Sequence, residues 1–241
     1  MDANIESFEN ACGNGDLETV SELFDVVNGI VNMLKMRNLA VEHGYLNILE
    51  FLHKNGVNIN ALFIDENPLM IAAREGWIDI VDYLLLQPKM DINYQDSYGW
   101  TALMYAADYG QIDMVDRLLQ NKNCKTNISN NSGNTAIFYA TRKGYLEIVD
   151  RLIIGGSDIW HVNKNGETLL WCAIKSKNQE VLERVLSLGL DVNQQDDCGR
   201  TPLMYCAIHN NKKAVEILLE HGAIADGHTQ RMISENFLKI H

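Results

Sequence analysis

The chain has 241 residues, and its 32 Asp and Glu residues outnumber its 20 Lys and Arg residues, which gives a formal net charge of −12. Nucleic-acid binding depends on neutralising phosphates with cationic side chains, so this charge argues against nucleic acid as the main partner. Apolar residues make up 46% of the chain, which is typical of a folded protein rather than a disordered one. No run of 18 apolar residues occurs, and the acidic start lacks a signal-peptide pattern, so we expect neither a membrane partner nor export.

The cysteines point to a reducing compartment. There are five of them, an odd number, and no two form a CxxC pair. With no export signal, we expect reduced thiols and no disulfide, in a cytoplasmic protein for which the nucleus is the alternative location.

The first two segments of the chain predict pairs of helices. Ala11, Leu17, Val20 and Leu23 have helical spacing on either side of Gly15. No turn motif precedes this pair, so we interpret residues 1–29 as an N-terminal capping helix pair. Residues 30–60 predict a second pair with a short or missing turn in front of it, because their front half is divergent and their back half is regular.

A recurring frame organises the rest of the chain. The stretch GWTALMYAADYG begins at Gly99, and related stretches begin at Gly133, Gly166 and Gly199. Their threonines, Thr101, Thr135, Thr168 and Thr201, are 34, 33 and 33 residues apart. This period and the T-P-L-x-x-A core are typical of one β-turn and two helices per repeat. Over nearly its whole length, the chain resembles the ankyrin-repeat family.

The resemblance implies an all-α ankyrin-repeat solenoid of about seven helix pairs including caps, with β-turn tips that project to one side. We expect repeats at residues 30–60, 61–93, 94–127, 128–160, 161–193 and 194–226. Residues 227–241 predict a C-terminal capping helix, because Met232, Ile233, Phe237 and Ile240 share one helical face. Within the frame, Thr101 is expected to cap the inner helix, and Gly99 to adopt a positive φ. Asn210 can end an inner helix in the left-handed conformation, whereas Lys177 fits that position less well.

The outer helices carry acidic residues in register, which can be read as a docking stripe or as a solvated face. We favour the solvated face, because the acids lie in first helical turns, where the helix dipole stabilises negative charge. Three acids also have an arginine four residues later, which predicts ion pairs within one helix. These pairs are Asp113–Arg117, Glu147–Arg151 and Glu180–Arg184.

The inner side carries the candidate binding residues. In the ankyrin family, contacts usually come from the β-turn tips and the last turn of the inner helix. Here the central repeat presents aromatic side chains that we expect to be exposed, although Trp100 could instead pack along the neighbouring turn. Basic residues follow in the later repeats. The candidates are Tyr98, Trp100, Asp108, Tyr109, Asn134, Arg142, Lys143, Lys164, Lys175 and Arg200.

Other large side chains are expected to serve packing. Tyr45, Trp77 and Tyr145 each follow a helix-ending glycine, so we expect them to pack between repeats. Five residues at the base of the inner helices are expected to be half-buried. They are Met70, Met104, Phe138, Trp171 and Met204.

No motif predicts an enzyme, a metal site or a cofactor, because the seven histidines are scattered and no Gly-rich phosphate loop occurs. The resemblance implies a non-enzymatic scaffold or adaptor that binds a protein. From the aromatic and basic candidates, we expect that partner to have an apolar anchor flanked by acidic residues, and we expect the chain to be monomeric on its own. Two alternatives remain open. One is a substrate-recruiting or targeting subunit or effector of an enzyme complex, and the other is a small-molecule or nucleotide sensor.

Overall fold

A computed structural model describes residues 2–237, apart from the side chain of Phe237. The described chain contains fifteen α-helices, and its one β-bridge pairs Phe63 with Glu66. The fold is therefore all-α, as the repeat pattern predicts. The chain forms two compact units, Met1–Lys125 and Thr126–His241, which we call unit 1 and unit 2.

Unit 1 consists of four consecutive helix pairs. The first helix of each pair packs on the first helix of the next, so α1, α3, α5 and α7 form one layer. The second helices form a layer behind it, with contacts between α2 and α4 and between α6 and α8. The eight helices are α1 (Asp2–Asn14), α2 (Leu17–Val27), α3 (Met33–Glu42), α4 (Leu46–Lys54), α5 (Pro68–Glu75), α6 (Ile78–Leu85), α7 (Ala102–Asp108) and α8 (Ile112–Leu119).

Unit 2 repeats the arrangement with three pairs and a final single helix. The inner helices α9, α11 and α13 pack in sequence, and α15 packs on α13. The seven helices are α9 (Ala136–Lys143), α10 (Leu146–Ile154), α11 (Leu169–Ser176), α12 (Gln179–Leu186), α13 (Pro202–Ile208), α14 (Lys212–Glu220) and α15 (Gly227–Phe237).

Local chemistry sets the ends of the inner helices. The hydroxyl oxygen of Thr101 accepts a hydrogen bond from the backbone N–H of Met104 at 3.3 Å, which confirms the predicted cap. Gly99, in the turn before it, has a φ of 80°, a conformation that costs glycine little. Lys177 (φ 58°) and Asn210 (φ 53°) occupy the left-handed position at the ends of α11 and α13. That conformation is more costly for lysine than for asparagine.

The residues at the base of the inner helices are more deeply buried than predicted. Met70, Met104, Phe138 and Trp171 are each at most 1% exposed, and Met204 alone among the five is half-buried. In unit 2 the following repeat provides the cover: the ring of His161 lies 5.6 Å from Phe138, and Tyr205 lies 5.6 Å from Trp171. Met204 belongs to the last full repeat, so no further repeat covers it.

Aromatic residues pack between repeats where the helix-ending glycines leave room. A Cβ at Gly15 would lie 2.6 Å from the ring of Tyr45, and one at Gly44 would lie 2.8 Å from the ring of Trp77. The indole N–H of Trp77 also donates to the carbonyl oxygen of Glu42 at 3.2 Å. The predicted packing role of Tyr45 and Trp77 is confirmed, and that of Tyr145 stays a prediction.

The C-terminal helix packs on the last repeat of unit 2. Asp226 caps α15 by accepting from the backbone N–H of Thr229 at 2.7 Å, and Asn236 donates to the carbonyl oxygen of Ala207 at 2.9 Å. Met232 and Ile233 are half-buried. Ile240, which the sequence places on the same face, lies outside the described residues.

Two of the three ion pairs predicted within outer helices are wrong. Glu147 and Arg151 pair as expected at 2.8 Å. Arg117 instead contacts Asp82, and Arg184 instead contacts Asp150 at 2.7 Å, in each case on the preceding outer helix. Because successive outer helices pack side by side, a long arginine side chain reaches the neighbouring helix as easily as the preceding turn of its own.

Candidate protein-binding site

In four repeats, one side chain closes the β-turn tip. The side-chain oxygen Oδ1 of Asp96 accepts from the backbone N–H groups of Tyr98 at 2.9 Å and Trp100 at 2.8 Å. The side chains of Asn130, Asn163 and Asp196 accept in the same way from the two equivalent N–H groups of their own tips. All four residues are buried. The tips are therefore held in one conformation before any partner arrives, which lowers the entropy lost on binding.

Unit 1 presents exposed aromatic side chains. Tyr98, on a tip, is 71% exposed, and Tyr109, at the end of α7, is 53% exposed. Asp108, beside Tyr109, is half-buried. Tyrosines held on a fixed backbone lose little conformational freedom on binding and are frequent at interfaces.

Trp100 is not exposed as predicted, since it is half-buried. Its ring lies 5.0 Å from the ring of Tyr105 on α7. The hydroxyl of Tyr105 donates to Asp96 at 2.8 Å, and burial together with this hydrogen bond raises the pKa of Tyr105. Tyr105 thus ties the tip to the inner helix α7. Trp100 packs on Tyr105, so its ring is only partly exposed to solvent.

In unit 2 the backbones of neighbouring tips contact one another directly. The N–H of Lys164 donates to the carbonyl oxygen of Ser132 at 3.1 Å, and the N–H of Asp197 donates to that of Asn165 at 3.0 Å. The approach is close, because a Cβ at Gly133 would lie 2.7 Å from the nitrogen of Lys164. The three tips of unit 2 therefore form one hydrogen-bonded row.

Three basic candidates of unit 2 are accessible. Arg142 and Lys143, at the end of α9, and Lys164, on a tip, are all exposed. The guanidinium of Arg142 lies over the ring of Tyr139, 5.2 Å from its centre. Such cation–π contact orients the arginine while its charge stays in water.

The other three candidates of unit 2 already contact protein groups that hold the tips. Lys175 pairs with Glu167, and Arg200 pairs with Asp196 at 2.6 Å. Asn134 accepts from the side-chain amide of Asn163 at 2.9 Å. A paired cation attracts a partner's carboxylate less strongly than an unpaired one, and the role of Lys175 and Arg200 in binding stays a prediction.

The cavity among these residues is too small for a ligand. Asn134, Arg142, Glu167 and Lys175 line a space of about 20 Å³, which has room for about one water molecule. Within residues 2–237, no group of three or more His, Cys, Asp or Glu side chains could hold a metal ion.

Three buried thiols have pKa values raised to about 12 by desolvation, those of Cys12, Cys172 and Cys206.

Sequence comparison identifies the architecture. A family model described as ankyrin repeats (three copies) matches residues 37–130, 69–163, 113–196 and 137–231. The chain belongs to the ankyrin-repeat family. Its repeats make it a protein-binding module, since ankyrin repeats mediate protein–protein interaction.

A curated relative is similar over part of its length. The probable 26S proteasome regulatory subunit p28 of Saccharomyces cerevisiae is 31% identical over 109 residues. The match covers 42% of this chain and 48% of the yeast protein, so the chain spans about half the length of that relative. Across the part of the chain that the structure describes, no helix has the length and apolarity required to cross a membrane.

Charge is unevenly divided between the two ankyrin units. Residues 1–125 contain 8 Lys or Arg and 19 Asp or Glu, a formal charge of −11. Residues 126–241 contain 12 Lys or Arg and 13 Asp or Glu, a formal charge of −1. The basic candidates of unit 2 therefore lie in a nearly neutral unit, and the aromatic candidates of unit 1 lie in a strongly acidic one.

Sequence reasoning missed Trp160, which is 59% exposed in unit 2. Its position normally carries an asparagine that ties one repeat to the next. In unit 2, the side chain of Asn193 donates to the carbonyl of Gly222 at 3.3 Å and accepts from the N–H of Ile224 at 2.8 Å. Asn93 and Asn127 make the same two bonds, and Asn60 makes the first. The sequence alone could have pointed to Trp160, because it interrupts this series of asparagines.

Proposed function

We propose that the chain is a non-enzymatic adaptor that binds protein through its β-turn tips and inner-helix ends. The observation that carries the proposal is the exposure of Tyr98 and Tyr109 on preorganised backbone in unit 1. Exposed aromatic side chains of this kind supply much of the binding energy in protein interfaces. Trp160 adds an exposed indole in unit 2, at a position where asparagine would stabilise the stack.

The two units supply different chemistry to this adaptor. Tyr98 and Tyr109 of unit 1 bind apolar anchors of the partner. Arg142, Lys143 and Lys164 of unit 2 bind acidic residues of the partner, while Lys175, Arg200 and Asn134 hold the tips. Because the basic residues are exposed, they act mainly on the rate of association, and more at low salt than at high salt.

The second candidate function is that of a recruiting subunit of an enzyme complex. Partial similarity to a protein described as a probable proteasome regulatory subunit favours it. In that case the partner is itself part of a larger assembly. The two functions use the same surface and differ in what is recovered with the partner.

A nucleotide sensor is the weakest of the three functions. Nucleotide phosphates require open cations, and the exposed aromatics of unit 1 lie in the unit with a formal charge of −11. We expect no change in melting temperature when ATP, ADP or GTP is added to the full chain. The chain is proposed to be a cytoplasmic or nuclear monomer, which agrees with three deeply buried thiols.

Site-specific photo-crosslinking tests the adaptor. Benzoylphenylalanine is placed at Tyr98 or Tyr109, and in matched controls at Leu86 or Ile154, which are exposed at the ends of outer helices. The proposal predicts a discrete protein adduct from the two inner positions and none from the two outer ones. If the adduct contains a single partner protein, the adaptor function is supported. If a whole complex is recovered with the adduct, the result favours a recruiting subunit. Adducts only from the outer positions would contradict both.

A further inference from the structure

An open cleft lies within unit 1 between two neighbouring tips and the end of α3. Its volume is about 420 Å³, within the range of ligand-binding clefts. We call it the tip cleft. Its described lining consists of Asn38, Glu42, Phe63, Ile64, Asp65, Glu66, Asp96, Ser97, Tyr98 and Tyr105.

The lining is acidic and contains neither Lys nor Arg. Glu42 is exposed, and within residues 2–237 no hydrogen bond or ion pair engages its carboxylate. Asp65 accepts from the N–H of Ser97, and hydrogen bonds from Ser97 lower its pKa, so it is ionised at neutral pH. Glu66 pairs with Arg74, but Arg74 also pairs with Glu75, so these three side chains together keep one negative charge. The cleft therefore holds a negative potential that favours a cationic ligand.

The tip at one side of the cleft is strained and displays an apolar side chain. Ile64 and Asp65 both have positive φ, 51° and 71°, between the bridged residues Phe63 and Glu66. A turn with two such residues usually contains Asn-Gly, and a β-branched residue there is an outlier. Ile64 is nevertheless 81% exposed. Strain of this kind at an exposed position often accompanies function, since neither the backbone nor the burial of isoleucine explains the choice.

A buried amide also faces the cleft. Asn38 is 5% exposed, and its Oδ1 accepts from both Nε (3.0 Å) and Nη2 (2.7 Å) of Arg37. These two bonds fix the orientation of the amide. Its Nδ2 then points away from Arg37 with no hydrogen-bond partner among the described residues, although the side chain lines the cleft. Because the side chain lines the cleft, this N–H group is available to donate to an acceptor that a ligand brings there.

We infer that the tip cleft binds an extended segment of a partner protein in which an apolar side chain is flanked by Lys or Arg. The apolar side chain packs against Ile64 and Tyr98, and the cations pair with Glu42 and Glu66. Nδ2 of Asn38 donates to a main-chain carbonyl of the segment, which favours a peptide over a small cation. This inference rests on the proposed adaptor function and specifies basic flanks for the segment that unit 1 binds.

Binding of fluorescein-labelled peptides to the full chain tests the inference. One peptide has a leucine flanked by arginines, and its counterpart has the same leucine flanked by glutamates. The variant Glu42→Gln/Glu66→Gln should bind the arginine peptide at least about tenfold more weakly at low salt. Asp79→Asn/Asp113→Asn removes the same net charge from exposed outer-helix positions and should change affinity by less than about twofold. Equal losses in the two variants, or equal affinity for the glutamate peptide, would overturn the inference.

Ile64→Asn provides a second, independent test. Asparagine tolerates a positive φ better than isoleucine, so the melting temperature should rise by about 2 °C. The arginine peptide should nonetheless bind several-fold more weakly, because its apolar contact is lost. A variant that is more stable and binds unchanged would contradict a binding role for Ile64.

The peptide and crosslinking results separate the two proposals. If the arginine peptide does not bind while benzoylphenylalanine at Tyr109 still captures a protein, the tip-cleft inference is wrong and the adaptor stands. If neither experiment detects binding, the adaptor itself is wrong.

Discussion

The two units use the same repeat but differ in the charge at the ends of their inner helices. In unit 1 the inner helices α3 and α7 end with Glu42 and Asp108, and in unit 2 α9 ends with Arg142 and Lys143. The backbone does not require this difference. A tip glutamate meets a cation on the inner helix in both units, as Glu66–Arg74 in unit 1 and Glu167–Lys175 in unit 2.

This comparison shows which positions fold the repeat and which are open to function. Tip-closing side chains, inner-helix alanines and outer-helix aliphatic residues recur because each repeat must pack on its neighbour. Residues at the ends of the inner helices contact the core little, so they can differ between units without changing the fold. The fold therefore does not require the charge difference between the units.

The largest effect is expected from Arg37, a buried cation of unit 1. It is 1% exposed, and its guanidinium donates to the carbonyl oxygens of Asn58 and Ala61, both at 2.8 Å. Desolvation lowers its pKa to about 10. Arg37→Leu should cost about 3 kcal/mol, because two partly buried carbonyl oxygens and the buried Asn38 lose their donors. Hydrogen exchange followed by mass spectrometry should show faster exchange in residues 33–61.

The control for Arg37 lies in unit 2. The same substitution should leave exchange in residues 169–186 unchanged, since stability in repeat proteins is largely local. Arg37→Lys, which keeps the charge but not the planar fork, should lie between the leucine variant and the wild type. Equal exchange in all three proteins would show that the two carbonyls do not need this side chain.

Trp160 of unit 2 and Asn93 of unit 1 occupy equivalent positions, so each can be replaced by the residue that the other unit has there. Trp160→Asn should stabilise unit 2 by about 1 kcal/mol, because asparagine can bond to Gly189 and Asp191 as Asn193 does to Gly222 and Ile224. Asn93→Trp should destabilise unit 1 by a similar amount through loss of its bonds to Asn123 and Lys125. Urea denaturation measures both changes. A Trp160→Asn protein no more stable than the wild type would show that the indole itself supports the fold.

Acid should affect the last tip of unit 2 through Asp196. Burial opposes its ionisation, but hydrogen bonds from Arg200 and Cys198 and the charge of Arg200 outweigh burial and lower its pKa. A carboxylate with a lowered folded-state pKa stabilises the fold above its unfolded pKa, about 3.9, and this contribution is lost as pH falls further. Asp196→Asn should preserve the turn, as Asn130 and Asn163 do, and cost about 1 kcal/mol at neutral pH.

Melting curves between about pH 7 and pH 3 check this expectation. The difference in melting temperature between the wild type and Asp196→Asn should be present at neutral pH and should shrink below about pH 4. Asp16, Asp65 and Asp226 also have lowered pKa values, and they are common to both proteins. A constant difference at every pH would assign the effect to packing.

The smallest effect is expected on the outer helices. The side chains of Arg117 and Asp82 are 42% and 40% exposed, and such pairs contribute little in water. Arg117→Ala should change the free energy of unfolding by less than about 0.5 kcal/mol. A larger loss in urea denaturation would indicate that bridges between outer helices, rather than inner-helix packing, hold unit 1 together.

Much of the fold could be predicted from the sequence, because the 33-residue recurrence marks each helix pair. Thr101 as a cap and Tyr45 and Trp77 as packing residues follow from position in the frame. The burial of Arg37 could not be predicted, since an arginine on a short helix is ordinarily exposed and the carbonyls that it binds lie more than twenty residues away.

The ion pairing within the candidate site could not be predicted from the sequence either. Lys175 and Glu167 are eight residues apart, a separation that places no two side chains together on a single helix. They meet because the tip folds back over the inner helix. The prediction that Trp100 is exposed was wrong for a similar reason, since its ring contacts Tyr105 only after Asp96 has closed the turn.

The central claim is that partners bind the tips and inner-helix ends rather than the outer helices. The direct measurement is the affinity of the crosslinked partner, once isolated, for two variants of the full chain. Tyr98→Ala/Tyr109→Ala should lose roughly 2 kcal/mol or more of binding free energy with an unchanged melting temperature. Asp79→Lys/Asp113→Lys/Glu147→Lys should bind within about twofold of the wild type. If the outer-helix variant loses the partner and the tyrosine variant keeps it, the account is wrong.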